Sequence, residues 1–286
     1  MANLKEIRNR ISSVSSTMQI TSAMKMVSAA KLKKAQDAIT AMRPYANKLT
    51  ELLQSLSASL DADSGSTYAD NRPINKVLVV AITSNRGLCG AFNTNIIKQC
   101  ATLTDESFGG KQVDFVAIGK KSNDILSKNA AVISNHSDVF DDLTFENVAV
   151  IAEELMELFR DGSYDRIELV YNKFKNAATQ IVMSEQFLPI VPSEDSEASG
   201  ADYIFEPSKA EIVEQLIPKS LKTQLYKAIR DSFASEHGAR MTAMHKATDN
   251  ATELRDQLKL TYNQARQAAI TNEILEIVGG AEALNN

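Results

Sequence analysis

What most narrows the fold lies at the two ends of the chain, where glycine and proline all but vanish. Residues 3–60 hold no glycine and one proline, Pro44, and are dominated by Ala, Leu, Met, Lys and Gln. That composition favours helix. Apolar residues recur in alternating steps of three and four, at Ile7, Ile11, Val14 and Met18, then at Leu32, Ala35, Ile39, Met42, Ala46, Leu49, Leu53, Leu56 and Leu60. A 3.5-residue period is a heptad seam and implies a left-handed coiled coil, with a kink expected at Arg43-Pro44. Between its halves the same register lands on Thr21, Lys25 and Ser28, while Met24, Met26, Val27, Ala29 and Ala30 spread apolar character around the helix. The seam is expected to fail there, and something other than one partner helix must touch the stretch.

The other end repeats the design. After Pro218 there is no proline, and only Gly238 before Gly279, which leaves about 60 residues of helical preference, a rod of roughly 90 Å. Its expected seam runs through Met244, Ala247, Ala251, Leu254, Leu258, Thr261, Ala265, Ala268 and Leu275. Many of these are small, so two helices can approach closely. Ser208-Lys-Ala-Glu211 is a capping-box pattern that predicts a short helix ending before Pro218. Matching terminal seams around a globular insert point to an antiparallel pair.

The middle follows another rule. Lys76 to Thr83 is a continuous apolar run of buried-strand type, followed by a glycine-bearing turn and a helix from Asn93 to Leu103. A strand from Val113 to Ile118, a helix from Ser122, a helix from Phe145 to Arg160, and strands Arg166 to Phe174 and Thr179 to Pro189 complete the expectation. Strands alternating with helices imply an α/β sheet. Thirteen of the 17 aromatic residues lie in residues 61–208, which fits a packed core there and a slim rod elsewhere. The polar stretches Asp61 to Asp70 and Pro192 to Gly200 are expected as linkers or loops. The boundaries are therefore 1–60, a helix; 61–208, the α/β domain; and 209–286, the returning helix.

Charge follows the same division. The net −5 divides into +6 over residues 1–60, −11 over 61–208 and zero over 209–286. A basic helix beside an acidic middle points to a polyanionic partner. Nucleic acid is disfavoured, because the basic segment has only Tyr45 to stack on bases. With no signal-peptide pattern and no unbroken apolar run of about 18 residues, a soluble cytoplasmic protein is expected.

Four candidate sites carry chemistry. The turn Thr83 to Asn93 follows a strand where a doubly wound domain binds phosphate, but it matches neither GxGxxG nor GxxxxGK[ST], and a tight turn or protein contact is favoured. Cys89 has no histidine near it in sequence to activate a nucleophile, and with Cys100 it forms no metal or disulfide pattern. His237 and His245 stand two turns apart, too far for one metal ion, and are expected as rod-surface residues or partner contacts. Asp138, Asp141, Asp142 and Glu146 suit a solvated loop leading into a helix better than a metal site. No catalytic residue, cofactor or metal is assigned.

Several segments together resemble a known family: Leu4-Lys-Glu-Ile-Arg-Asn-Arg-Ile, Ile20 to Leu32, Arg43-Pro-Tyr-Ala, the Ser-Asn-Arg-Gly-Leu-Cys-Gly turn, Ala239-Arg-Met-Thr-Ala-Met, and Tyr262 to Ile277-Val-Gly-Gly-Ala. The chain resembles the gamma subunits of F-type ATP synthases over its whole length. The departures are Ser-Asn-Arg with Ala91 where Asp and Gly are usual in the turn, Gln264 for Lys, and no dithiol insertion. The resemblance implies an antiparallel coiled coil of the terminal helices with an inserted Rossmann-like α/β domain. It also implies a non-catalytic rotor shaft, inside a ring of three alpha and three beta subunits, with the epsilon subunit and the c-ring of the membrane sector as further partners and no insertion into the membrane. Position by position, Met24 matches a methionine facing an acidic lever of the beta subunit. Arg266, Gln267 and Thr271 match residues that meet catch loops of the ring. The alternatives are a nucleotide-binding α/β enzyme and a generic coiled-coil scaffold.

Overall fold

The computed structural model describes residues 4–57, 68, 72–190 and 209–284. The expected polar linkers Asp61 to Asp70, apart from Tyr68, and Pro192 to Gly200, together with Ser208, Leu60 and the side chains of Leu53 and Leu56, lie outside the described residues. Helix α1 spans Leu4–Ser57 and helix α5 spans Lys209–Leu284. The chain forms two compact units, Met1–Ser28 with Met241–Asn286, and Ala29–Arg240.

The first unit is a helix pair. Arg8 Nη2 donates to Tyr262 Oη at 2.7 Å, Arg255 Nη1 lies 3.5 Å from the Met18 sulfur, and the hydroxyls of Thr21 and Thr248 meet at 2.8 Å. One helix number rises as the other falls, so the helices are antiparallel. The heptad register of α1 does not fail at residues 21–28. Thr21 and Ser28 are buried in it, because each hydroxyl is satisfied by its own helix, Thr21 Oγ1 on Met18 O and Ser28 Oγ on Met24 O. A back-bonded hydroxyl is nearly as compact as alanine and hides its polarity from the neighbouring helix.

The seam of α5 needs a correction. Met244, Ala251, Leu258 and Ala265 face inward as expected, but Leu254, Thr261, Ala268 and Leu275 are exposed. Arg255, Tyr262 and Ala269 take the places of Leu254, Thr261 and Ala268, Thr248 joins the half-buried Ala247, and from residue 271 to 280 every position is exposed. Long amphipathic side chains lay their stems on the partner helix and keep their polar ends at its rim. A pattern that counts apolar residues therefore picks Leu254 over Arg255, and Thr261 over Tyr262.

The second unit holds a five-stranded sheet. Strands β1 (Lys76–Ile82), β2 (Gln112–Ile118), β3 (Val132–Asn135), β4 (Arg166–Phe174) and β5 (Gln180–Leu188) lie in the order β3-β2-β1-β4-β5. All neighbours are parallel except β4 and β5. Strand β3, too short and too mixed in polarity to stand out in sequence, is an addition to the expected set. Helix α4 (Phe145–Arg160) and the α5 residues Ile217, Leu221, Leu225 and Ile229 cover one face. Helix α2 (Phe92–Thr102) and Leu126 of helix α3 (Lys120–Leu126) cover the other. With both faces covered, β1 is buried from Val77 through Ile82, which is why it reads as a continuous apolar run.

No helix ends at Pro218. Helix α5 passes through it, and α1 passes through Pro44. A proline inside a helix costs about 3 kcal/mol. The burial of Ile217 and Leu221 on either side of Pro218, and of Ala46 and Leu49 after Pro44, offsets that cost.

Candidate functional site

In the helix-pair unit, apolar residues remain uncovered. Ile20, Met24 and Val27, spaced by four and three, form a stripe on α1 beside the seam. Ile20 and Val27 are 60% and 58% exposed, and Met24 is half-buried. On α5, Arg266, Gln267 and Thr271 are all exposed. Gln267 and Thr271 share a face one turn apart, and that face continues to Leu275 and Val278, both uncovered. The four expected contact residues thus fall into two separate surfaces, Met24 on α1 and the other three near the end of α5. Ile270, Ile274 and Ile277 add to the exposed apolar character of that end. Among the described residues, no helix is long and apolar enough to cross a membrane.

The sheet unit accounts for the glycine-bearing turn. In an open doubly wound sheet the ligand crevice lies beyond the carboxyl ends of the strands where the strand order reverses, here β1 and β4. That crevice is occupied by α5. Arg240 Nη2 donates to the carbonyls of Arg86 and Gly87 at 3.2 and 3.3 Å, and Ser235 Oγ donates to Asn172 O at 2.9 Å. Gly238 lets the helix close in: a Cβ there would lie 3.2 Å from Ala177 backbone atoms. Within the turn, Ser84 N and Oγ both donate to Asn93 Oδ1, while Asn93 Nδ2 donates to Cys89 Sγ. The turn presents carbonyls to a guanidinium, the opposite polarity to a phosphate cradle.

Around this contact is a buried charged cluster. Arg240 pairs with Glu236 one turn away, and Lys31 of α1 and Arg86 act on the same carboxylate. Burial raises the Glu236 pKa, against these cations. His237 is not on the rod surface as expected but buried, packed edge-on to Phe233 at 4.5 Å, with Nε2 unpartnered. Burial, then Arg240 and Lys31, hold its pKa down to about 4, so the ring is neutral at pH 7. His245 is exposed and faces Asp249. Near the same edge Arg43 joins Phe174 O and Asp231 Oδ1, at 3.3 and 3.4 Å. Asp231 is buried with Oδ2 unpartnered, and burial raises its pKa in spite of Arg43, Lys227 and Lys173.

The remaining candidates take structural places. Cys89 and Cys100 are free, buried thiols; burial raises both, Cys100 to about 12. Both are therefore protonated and poor nucleophiles at pH 7. Asp138 sits in a short turn, Asp142 receives Asn147 Nδ2, and Thr144 caps α4 by accepting from Asn147 N. Among the described residues no group of three or more His, Cys, Asp and Glu is placed to hold a metal ion. The Arg240 clamp and the Thr21–Thr248 pair were not legible in sequence. Their partners lie 154 and 227 residues apart and carry no local motif.

A family model described as ATP synthase matches residues 3–284. An ATP synthase gamma chain of Flavobacterium psychrophilum is 77% identical over 285 residues, covering 99% of each chain. The chain belongs to the ATP synthase gamma-chain family. A second gamma chain, from Flavobacterium johnsoniae, is 75% identical over 286 residues and covers both chains fully. The fold is also similar to a chain in the Euglena gracilis mitochondrial ATP synthase assembly of OSCP, F1 and c-ring. There the TM-score is 0.71 and the identity 24%, covering 98% of this chain and 94% of that one.

Proposed function

We propose that the chain is the central rotor shaft of an F-type ATP synthase, coupling ion flow through the membrane sector to ATP synthesis or hydrolysis in a ring of three alpha and three beta subunits. The observation that carries this reading is the helix pair with uncovered apolar surface on both helices, in a chain of the gamma family whose sheet crevice is closed. A shaft needs no catalytic residue. Its orientation favours one conformation in each surrounding subunit, so rotation changes three nucleotide affinities in turn. In this reading residues 1–60 and 209–286 form the shaft, and 61–208 the domain outside the ring, near the epsilon subunit and the c-ring. Met24 faces the acidic lever of a beta subunit, and Arg266, Gln267 and Thr271 meet the catch loops. The basic helix of residues 1–60 then lies among acidic levers, under screened attraction that does not depend on one geometry. The working location is peripheral, at the cytoplasmic face of a bacterial inner membrane.

Reconstitution tests this. The chain alone hydrolyses no ATP, and adding it to alpha and beta subunits raises their ATPase activity; turnover by the isolated chain sinks the proposal. Met24→Lys places a cation opposite the levers and lowers coupling between ion transport and ATP turnover. Unchanged coupling would remove Met24 from that contact.

A further inference from the structure

With the crevice at the carboxyl ends of the strands closed, an open cavity lies at the opposite edge of the sheet. It measures about 370 Å³ and is bounded by residues at or before the starts of three strands, Ile74, Lys111 and Arg166, with Leu103, Phe108, Glu168 and Ser184 among its walls. Pockets for small molecules begin at about 300 Å³.

Its construction is local and specific. Helix α2 ends in a π-helical turn, Leu103–Ser107, closed by Phe108 N donating to Leu103 O at 2.9 Å. Turns of this type are rare and cluster at functional sites. Gly109 is required next, since a Cβ there would stand 2.9 Å from Asp105 O. The wide turn brings Leu103 and Phe108 to the cavity wall, where both are buried.

The polar groups are only partly used. Arg166 sits over the Phe108 ring and bonds Glu168 through Nε at 2.7 Å and through Nη2, both to the same oxygen, Oε1. Glu168 Oε2 and Arg166 Nη1 have no further partner among the described residues, and neither has the Lys111 ammonium. Ser184 Oγ accepts from Gln99 and keeps its own proton to donate. The lining thus carries two cations against one carboxylate, an apolar wall, and one free acceptor in Oε2.

We propose that this cavity is a binding site for a small organic monoanion, whose acid group meets Lys111 and Arg166, whose apolar body lies on Phe108, Leu103 and Ile74, and whose neutral N–H or O–H donates to Glu168. A net lining charge of +1 is balanced by a monoanion with a neutral donor and not by a zwitterion. Arg166 then bridges ligand and Glu168, and the carboxylate keeps its charge partner throughout.

The test is titration of the full chain, by calorimetry and by ligand-observed NMR, with 4-aminobenzoate, 4-hydroxyphenylacetate, phenyl phosphate and L-phenylalanine. The two carboxylate probes are expected to saturate, whereas phenyl phosphate, mostly a dianion near pH 7 and without a neutral donor for Glu168, is expected to bind more weakly than 4-hydroxyphenylacetate; tighter binding of the phosphate would overturn the charge match. L-Phenylalanine, with an ammonium added, is expected to bind at least tenfold more weakly. Lys111→Gln is expected to weaken carboxylate binding by about tenfold, and Ser184→Trp, which fills the cavity from an edge strand, to abolish it; Lys98→Gln on exposed α2 surface leaves it unchanged. Arg166→Gln strips Glu168 of its partner and is not used alone. The proposal is overturned if no probe saturates on the folded chain, if binding survives Ser184→Trp, or if L-phenylalanine binds most tightly.

Discussion

The sheet unit and the helix-pair unit bury their residues by opposite means. On β1, six successive residues are fully enclosed, because helices cover both faces of the sheet. On residues 4–28 of α1, only Ile7, Thr21 and Ser28 are buried, all on one narrow stripe, and neighbours as apolar as Ile20, Met26 and Val27 stay in solvent. The comparison teaches that apolarity and burial part company where one helix meets one other. A lone partner covers a seam, and whatever lies beside the seam is left for other surfaces.

The largest expected effect lies in the sheet. Phe159, fully buried between α4 and the strands, contributes volume that nothing nearby can replace. Phe159→Ala should cost about 3–5 kcal/mol in urea unfolding; a loss below 1 kcal/mol would mean that the core there is loose.

Next comes acid sensitivity. The unfolded chain takes up a proton at His237 near pH 6.5, whereas the folded chain resists until about pH 4. Between those values the unfolded state binds more protons, so stability falls as pH falls. The share of this one ring reaches roughly 3 kcal/mol below pH 4. Glu236, with its pKa raised, acts in the opposite sense by holding its proton more firmly when folded. His237→Leu should therefore flatten the loss of stability between pH 6.5 and 4. Parallel curves for the two proteins would show that the ring titrates freely.

The helix pair should respond less. Thr21→Val leaves Thr248 bonded to Met244 O, so it should cost less than about 1 kcal/mol, and Thr21→Val with Thr248→Val should be close to neutral. A cost of 2 kcal/mol for the double variant would make the hydroxyl pair a true cross-link. Smallest of all, Ile277→Ser should change unfolding by no more than about 0.5 kcal/mol, since the residue is 71% exposed. In the assembled synthase the same change should lower coupled activity, which separates a partner surface from a structural one.

Much of this architecture was legible before any coordinates. The apolar run at β1, the alternation of strands and helices, and the apolar parts of the α1 register follow from periodicity; the expected failure of that register at residues 21–28 does not occur, because Thr21 and Ser28 are buried with their hydroxyls bonded to their own helix. Elsewhere the pattern misled: Arg255 and Tyr262 line the α5 seam where Leu254 and Thr261 were expected, because a long side chain can bury its stem and still reach water. Pro218 looked like a helix end, since its lost hydrogen bond is visible in sequence and the packing of Ile217 and Leu221 that offsets it is not. Of the candidate contact residues, Met24 and the Arg266, Gln267, Thr271 group came from family resemblance. The exposure of the stripes around them is what coordinates add.

Local propensity, and residues read in order, suffice for two long terminal helices, an α/β insert and a whole-chain family likeness. Tertiary structure alone decided that α5 closes the sheet's ligand crevice, that His237 is buried and neutral, and that a cavity with uncommitted charge remains at the opposite edge. Those outcomes depend on groups such as Arg240 and Arg86, which are distant along the chain and meet only when it folds, and no local pattern encodes a meeting of that kind.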